Sequence, residues 1–278
     1  MTKGESVARL AQLGTIDDER LDVFARLSEH QLKNALEVER GVFIAESHLV
    51  VDVALDSGAE PLAFLVDERD LPASERILAR AGDDVPAYVL PHEQVSRLTG
   101  FHLTRGLLCA MRRPRALSLV EALDDARHVA VLEDLVDVAN VGALFRNAAA
   151  LGVDAVVLSP RCADPLTRRA LRVSMGCALK LPWARAAEGE WPEGAFGVLH
   201  ELGFECLAMA LDERAVPLDD PSLARASRQA LVFGSEGPGL TARALAACDR
   251  TVIIPMGREV DSLNVAASSA IAFWQLFR

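Results

Sequence analysis

The strongest constraint on this chain is an alternation that starts near residue 128 and runs to the C-terminus. Short apolar segments at 129–132, 155–158, 206–210, 230–233 and 252–254 are separated by helical patterns at 142–151, 165–175, 194–202 and 241–247. Each segment is apolar on both faces, as a strand covered on both sides must be. Strands that alternate with helices predict an open parallel α/β sheet. Ligands on such sheets sit beyond the carboxyl ends of the strands, so the loops that follow the strands carry the functional argument.

The N-terminal part has a different texture. Strand patterns at 41–46, 61–66 and 86–90 are interleaved with helical ones at 48–54 and 77–81, which predicts a small α/β unit. The expected division is a helical lead-in over 1–25, a small domain over 26–110, a linker with a short helix over 111–127, and the parallel-sheet domain over 128–278.

Composition narrows the function classes. No apolar run reaches the roughly 18 residues of a membrane span, and Met1-Thr2-Lys3-Gly4-Glu5 opens no signal-peptide core. A cytoplasmic protein with no membrane partner is expected. The cysteines Cys109, Cys162, Cys177, Cys206 and Cys248 form no CxxC and no Cys–His pair at zinc-ligand spacing, so they read as small core residues and no metal is expected.

The formal charge of −11 gives no global attraction to nucleic acid. The deficit is even along the chain: 14 basic against 19 acidic residues over 1–115, and 15 against 21 over 116–278. One window departs from it, with Arg161, Arg168, Arg169, Arg172, Lys180 and Arg185 against Asp164 alone. A smaller cluster is Arg105, Arg112, Arg113 and Arg115. Any polyanion is expected to meet these patches; the alternative is a solvated basic helix face.

Three loops have unusual chemistry. The first runs from Asn140 through Gly142 to Arg146 and Ala148, and places a cation early in an otherwise apolar helix. The positive end of the helix dipole is a poor place for a decorative cation, although a plain surface arginine stays open. The second, Phe233-Gly234-Ser235-Glu236-Gly237-Pro238-Gly239-Leu240, carries one charge among three glycines. It is neither GxGxxG nor a P-loop, and a tight strand–helix turn would also explain it. The third runs from Ile254-Pro255-Met256 to Ser262-Leu263-Asn264-Val265 and leads into a C-terminal helix that is apolar nearly all round. Ser262 or Asn264 can act as its cap. A helix without a polar face is expected to be buried, here against a second subunit.

Taken together and in this order, the three loops closely resemble the signature motifs of the SpoU/TrmH-type RNA 2′-O-ribose methyltransferases of the SPOUT superfamily. The matching text is N-x-G-x-x-x-R-x-A over 140–148, G-x-E-x-x-G-L over 234–240, and I-P-M…S-L-N-V over 254–265. The resemblance covers residues 128–278. The N-terminal unit, with Gly100-Phe101-His102-Leu103-Thr104-Arg105-Gly106 before the linker, resembles the ribosomal-protein-like substrate-binding domain of many members. One position departs from the pattern: Gly257 comes one place early and Arg258 takes the usual glycine position.

The resemblance implies an open parallel sheet whose tail threads a loop into a deep trefoil knot. It implies S-adenosylmethionine held by Gly234, Ile254 and Leu263, with Phe233 and Met256 beside them. It implies a homodimer through the knot and C-terminal helix. Arg146 would act on the ribose as a guanidinium that holds phosphate or a developing oxyanion, because arginine resists deprotonation. Asn140, Glu236, Ser262 and Asn264 would position that arginine, the ribose and the loops. RNA, ribosomal ahead of transfer RNA, would meet Arg161, Arg168, Arg169 and Arg172. A non-catalytic RNA-binding assembly factor and a small-molecule α/β enzyme are the alternatives.

Overall fold

A computed structural model describes residues 8–25, 41–100, 106–258 and 262–277. The chain divides into two units, Met1–Pro114 with Leu166–Leu179, and Arg115–Pro165 with Lys180–Arg278.

The first unit holds β1 (Arg9–Gln12), β2 (Val42–Glu46), α1 (His48–Asp56), β3 (Pro61–Asp67), α2 (Leu71–Leu78), β4 (Pro86–Leu90), α3 (His92–Thr99) and β5 (Leu107–Arg112). Its sheet runs β1-β4-β3-β5-β2. β1, β3 and β4 are parallel, and β5 runs antiparallel to both its neighbours. Leu21, Phe24, Ile44, Leu65, Leu90, Val95 and Leu108 form the core on one face.

The expected helical lead-in is corrected here. Within the described part of 1–25, Arg9–Gln12 is a strand and Glu19–Phe24 a short 3-10 turn capped by Asp18. The strand exists because β4 offers a free edge, which no local pattern reveals. The helix placed at 77–81 starts earlier, at Leu71, because Pro72 fits the first helical turn. The stretch given to a linker at 111–112 instead completes β5, paired with β2.

The second unit opens with α4 (Leu119–Leu123), held by a reciprocal capping box between Ser118 and Glu121. β6 (His128–Leu132), α5 (Val138–Ala150) and β7 (Ala155–Leu158) follow. The chain then contributes α6 (Arg168–Ser174) to the first unit. β8 (Trp183–Arg185), α7 (Glu193–Glu201), β9 (Glu205–Met209), β10 (Val216–Pro217), β11 (Gln229–Phe233), α8 (Ala242–Ala247), β12 (Arg250–Ile253) and α9 (Val265–Phe277) complete the second unit.

Its seven-stranded sheet is parallel throughout, in the order β10-β12-β9-β11-β6-β7-β8. The five apolar segments of the sequence become β6, β7, β9, β11 and β12, as expected. β8 and β10 are short edge strands with no apolar signature. β6 lies beside β11, with β9 next and β12 beyond it, so the loops after β6, β11 and β12 emerge from one end of the sheet.

The single expected domain over 128–278 is interrupted, because Leu166–Leu179 belongs with the first unit. Glu46 on β2 is almost fully buried and pairs with Arg168, whose side chain is only 13% exposed, and with the half-exposed Arg172 at 3.2 Å. A buried carboxylate requires such partners. Gly176, at φ +79°, packs so closely on Val53 that a Cβ would stand 2.7 Å from its Cγ1.

α9 is covered on one face only by its own chain. Val265, Ser269, Ala272, Phe273 and Phe277 are buried, whereas Ile271 and Trp274 on the other face are 41% and 54% exposed. The buried face docks on α5, where Asn147 Nδ2 donates to Ala266 O at 2.7 Å and to Ser269 Oγ at 3.0 Å. Phe273 meets Phe233 edge-on at 5.5 Å, and Phe277 stacks on His128 at 4.3 Å. Among the described residues, no helix is long and apolar enough to cross a membrane.

Candidate active site

A pocket of about 550 Å³ opens beyond the carboxyl ends of β9, β11 and β12. Its wall is formed by Met209–Leu211, Phe233–Leu240, Val252–Ile254, Met256, Ser262–Val265, Leu245 and Ser268. All five residues expected to face a cofactor (Phe233, Gly234, Ile254, Met256 and Leu263) lie in that wall, as do Glu236, Ser262 and Asn264. Phe233 contributes wall rather than a free ring, since it is buried against Phe273.

The glycines of the second loop have separate tasks. A Cβ on Gly234 would sit 2.3 Å from the carbonyl carbon of Gly239 and 2.4 Å from Leu240 N, so the loop closes on itself there. Gly239 takes φ +70°, and its N–H donates to Ser235 O at 3.1 Å. Gly237 has neither a positive φ nor a crowded Cβ position. Tight self-packing of the loop, rather than three close approaches to a ligand, explains this sequence.

At the rim, one hydrogen-bonded chain joins all three motifs. Asn264 caps α9, its Oδ1 accepting from Ala266 N at 2.9 Å. This turns its Nδ2 toward Asn140 Oδ1, at 3.1 Å. Asn140 therefore presents its own Nδ2 to Glu236 Oε1, at 2.5 Å. The backbone cap sets the polarity of both amides, and the end of the chain must be an acceptor, which the carboxyl oxygen Oε1 of Glu236 supplies. Glu236 Oε2 makes no hydrogen bond among the described residues. Asn140 is placed by the N-terminus of α5, where Asp137 accepts from Ala139 N at 2.6 Å. Ser262 is exposed at the rim without a hydrogen bond among the described residues.

Arg146 is not brought to this pocket. It is exposed, absent from the wall, and makes no ion pair or hydrogen bond among the described residues. Six residues beyond Asn140, it stands about 9 Å further along α5 and about a third of a turn around it. Asn147, seven residues on, shares the face of Asn140 and is the residue that docks on α9. The polar chain and the free guanidinium are thus separate features of one helix.

The sequence reading missed Glu133. It directly follows β6 and is nearly fully buried, yet no cation pairs with it among the described residues. Trp191 Nε1 and Thr241 Oγ1 each donate to its Oε1 at 2.9 Å, and Thr241 N donates to Oε2 at 2.8 Å. Thr241 also caps α8, directly after the glycine loop. Glu133 therefore ties the end of β6 to the base of the second motif. An acid directly after a doubly covered apolar strand is the signal that could have pointed to it. Arg185 was also misassigned. Its guanidinium donates to the carbonyls of Ser159, Pro160, Cys162 and Ala163, which organises the loop after β7.

The basic window separates in the same way. Arg161 is 78% exposed and lies 3.6 Å from Asp134 in the second unit, whereas Arg168, Arg169 and Arg172 belong to the first. Arg168 is engaged with Glu46, and its role as a phosphate contact is corrected accordingly. Arg169 is exposed and makes no ion pair or hydrogen bond among the described residues. The displaced glycine of the third motif has a visible consequence too, because Arg258 adopts φ +59° while Gly257 does not have a positive φ.

Comparison with known proteins agrees with the fold and the motifs. The family model of the SpoU rRNA Methylase family matches residues 127–274. An uncharacterized tRNA/rRNA methyltransferase of Mycobacterium bovis is 46% identical, over 94% of this chain and 90% of that protein. The 23S rRNA (guanosine(2553)-2′-O)-methyltransferase RlmP of Bacillus subtilis is 27% identical, over 84% of this chain and 88% of its own. An AdoMet-bound rRNA methyltransferase from Sinorhizobium meliloti superimposes with a TM-score of 0.81 at 20% identity, over 96% of this chain and 97% of that one. With the motif loops gathered at one end of a parallel sheet and the family model spanning that whole region, the chain belongs to the SpoU rRNA methylase family.

Proposed function

We propose that this protein is an S-adenosylmethionine-dependent RNA 2′-O-ribose methyltransferase acting on ribosomal RNA in the cytoplasm. The observation that carries the proposal is the chain Glu236–Asn140–Asn264, which unites three motifs from distant parts of the sequence at the rim of one pocket. The pocket fits the cofactor chemically. About 550 Å³ is within the usual range for small-molecule sites. Its wall combines glycine-rich backbone, which offers N–H and C=O groups to an adenine and an amino acid, with apolar Leu211, Ile254, Met256 and Leu263. When bound there, S-adenosylmethionine supplies a methyl group on a sulfonium.

The protein's own task is to prepare a poor nucleophile, since a ribose hydroxyl is barely ionised at neutral pH. Glu236, held by Asn140, has an oxygen left to accept a hydrogen bond from that hydroxyl. Ser262 offers a second polar group at the rim. Arg146 holds a backbone phosphate or the developing alkoxide by charge and does not take the proton, because a guanidinium resists deprotonation. In this reading Arg146, which is not part of its own pocket's wall, serves the site of a second copy of the chain. The exposed apolar face of α9, with Ile271 and Trp274, forms the contact between copies. The threaded C-terminal tail of a trefoil knot belongs to the same reading.

Ribosomal RNA is favoured by the Bacillus subtilis relative, which is named for a 2′-O-methylation of 23S rRNA. The test is transfer of a labelled methyl group from S-adenosylmethionine to ribosomal and transfer RNA transcripts of the source organism. The expected outcome is label on ribosomal RNA at an alkali-resistant linkage. Label on transfer RNA alone would change the substrate. Label on a base, or no transfer, would overturn the proposal.

A further inference from the structure

The parallel sheet of the second unit has an opposite end, away from the pocket, where β9 and β12 begin. Three side chains from three elements meet there. His200 lies in the last turn of α7, Cys206 is the second residue of β9, and Asp249 directly precedes β12. One imidazole nitrogen, the thiol sulfur and one carboxylate oxygen lie within 4.8 Å of one another. Asp249 Oδ2 accepts from Cys206 N at 2.7 Å and lies 3.2 Å from His200 Nε2. Asp249 Oδ1 makes no hydrogen bond among the described residues. His200 and Asp249 are exposed, and Cys206 is buried directly behind them.

We propose that His200, Cys206 and Asp249 form a binding site for a divalent cation of the zinc class, with the remaining coordination position open to water. The donor set selects the metal. A nitrogen, a sulfur and one oxygen suit zinc-like ions, whereas magnesium and calcium demand oxygen ligands. Zinc bonds of about 2.0–2.3 Å in a tetrahedron place ligand atoms about 3.3–3.8 Å apart. The cluster needs only a small contraction to reach that spacing, and its two outer ligands are on the surface and able to move. Cys206 is fixed by pairing in the middle of the sheet, so it acts as the anchor.

The chemistry balances. The Cys206 thiol releases its proton to solvent as the sulfur–metal bond forms, and His200 binds as neutral imidazole. The contact between His200 and Asp249 gives way to two metal bonds. Burial, with smaller contributions from Cys248, Asp249 and Glu205, pushes the Cys206 thiol well above its ordinary range. Cys248 itself is outside the triplet, its Sγ facing Ala244 O at 3.3 Å. Spacing along the sequence gave no sign of this site, because its ligands come from three elements. A bound ion would staple α7 to the starts of β9 and β12, so its readout is stability, independent of methyl transfer.

The test uses the full chain, stripped with a chelator and titrated with cobalt(II) as a spectroscopic stand-in for zinc. The expected result is a thiolate-to-cobalt charge-transfer band in the near ultraviolet with intense tetrahedral visible bands, all lost when zinc is added. Zinc should also raise the melting temperature. Cys206→Ser loses the near-ultraviolet band. Should that core variant fail to fold, His200→Ala changes only an exposed ligand and loses both the visible bands and the zinc-dependent shift. Absence of a thiolate band in the wild type, or an equal zinc-dependent shift in wild type and His200→Ala, would overturn the proposal.

Discussion

At the residue scale, two carboxylates near the pocket show how burial decides role. Glu133 is buried and fully engaged by Trp191 and Thr241, so it is a structural tie. Glu236 is exposed, with one oxygen engaged and one available. Replacing Glu133 by alanine leaves the Trp191 and Thr241 donors without their acceptor, and a stability loss of about 3 kcal/mol is expected in urea denaturation. Cofactor affinity, measured by calorimetry, should fall with it, because Thr241 follows the glycine loop. Asn140→Ala should behave in the opposite way. It removes exposed hydrogen bonds worth about 1 kcal/mol, yet disconnects Glu236 from Asn264. Turnover should drop about a hundredfold at nearly unchanged melting temperature. Equal effects on stability and turnover would show that the polar chain is only scaffolding.

At the element scale, α6 is informative because neighbouring arginines have unrelated fates. Thr167 caps the helix and Arg168 points to buried Glu46, whereas Arg169, one residue on, is exposed. Arg168→Glu would set two carboxylates together in a buried site, at a cost of about 3–5 kcal/mol. Arg169→Glu should leave stability within about 0.5 kcal/mol. If this surface meets RNA, the second variant alone should weaken binding and flatten its salt dependence. Thermal melts combined with filter binding at several salt concentrations separate the two. Unchanged binding by Arg169→Glu would remove α6 from the RNA surface. The same contrast governs α9, whose inner face is fixed by Asn147 and Phe273 while Ile271 and Trp274 are left outside.

At the scale of the whole molecule, the separation of Arg146 from the polar chain makes oligomeric state a matter of chemistry. If each site takes Arg146 from one copy and Asn140 from another, inactive Arg146→Ala and Asn140→Ala proteins should complement each other. Random exchange of subunits places one intact site in half of the dimers, which predicts about a quarter of wild-type activity in an equal mixture. No recovery, after co-purification through a tag on one variant has confirmed mixed dimers, would return Arg146 to a role within its own chain. Net charge belongs to this scale as well. At −11 the molecule gains nothing from long-range attraction to RNA, so the proposed RNA contact has to come from local groups, with Arg161 and Arg169 as the candidates.

Much of the parallel sheet was legible in the sequence. Its inner strands β6, β7, β9 and β11 are largely buried on both faces, and that requirement writes itself into consecutive apolar residues, with β12 adding the buried Val252. Edges carry no such signature, which is why β1, β8 and β10 emerged only once their partners were in place; β5, an inner strand, has no counterpart among the expected strands. The motif residues were legible as types at fixed spacings. Their connection was not, since the hydrogen bonds from Asn140 to Glu236 and Asn264 span 96 and 124 residues. Nor could spacing tell that Arg168 serves a buried glutamate, that Arg146 leaves its own pocket, or that His200, Cys206 and Asp249 converge. Sequence determines which segments must be buried, because hydrophobic burial is local to each residue. Which polar groups then face one another is decided only by tertiary structure, because hydrogen bonds and ion pairs depend on angstrom-scale distances between elements far apart in the chain.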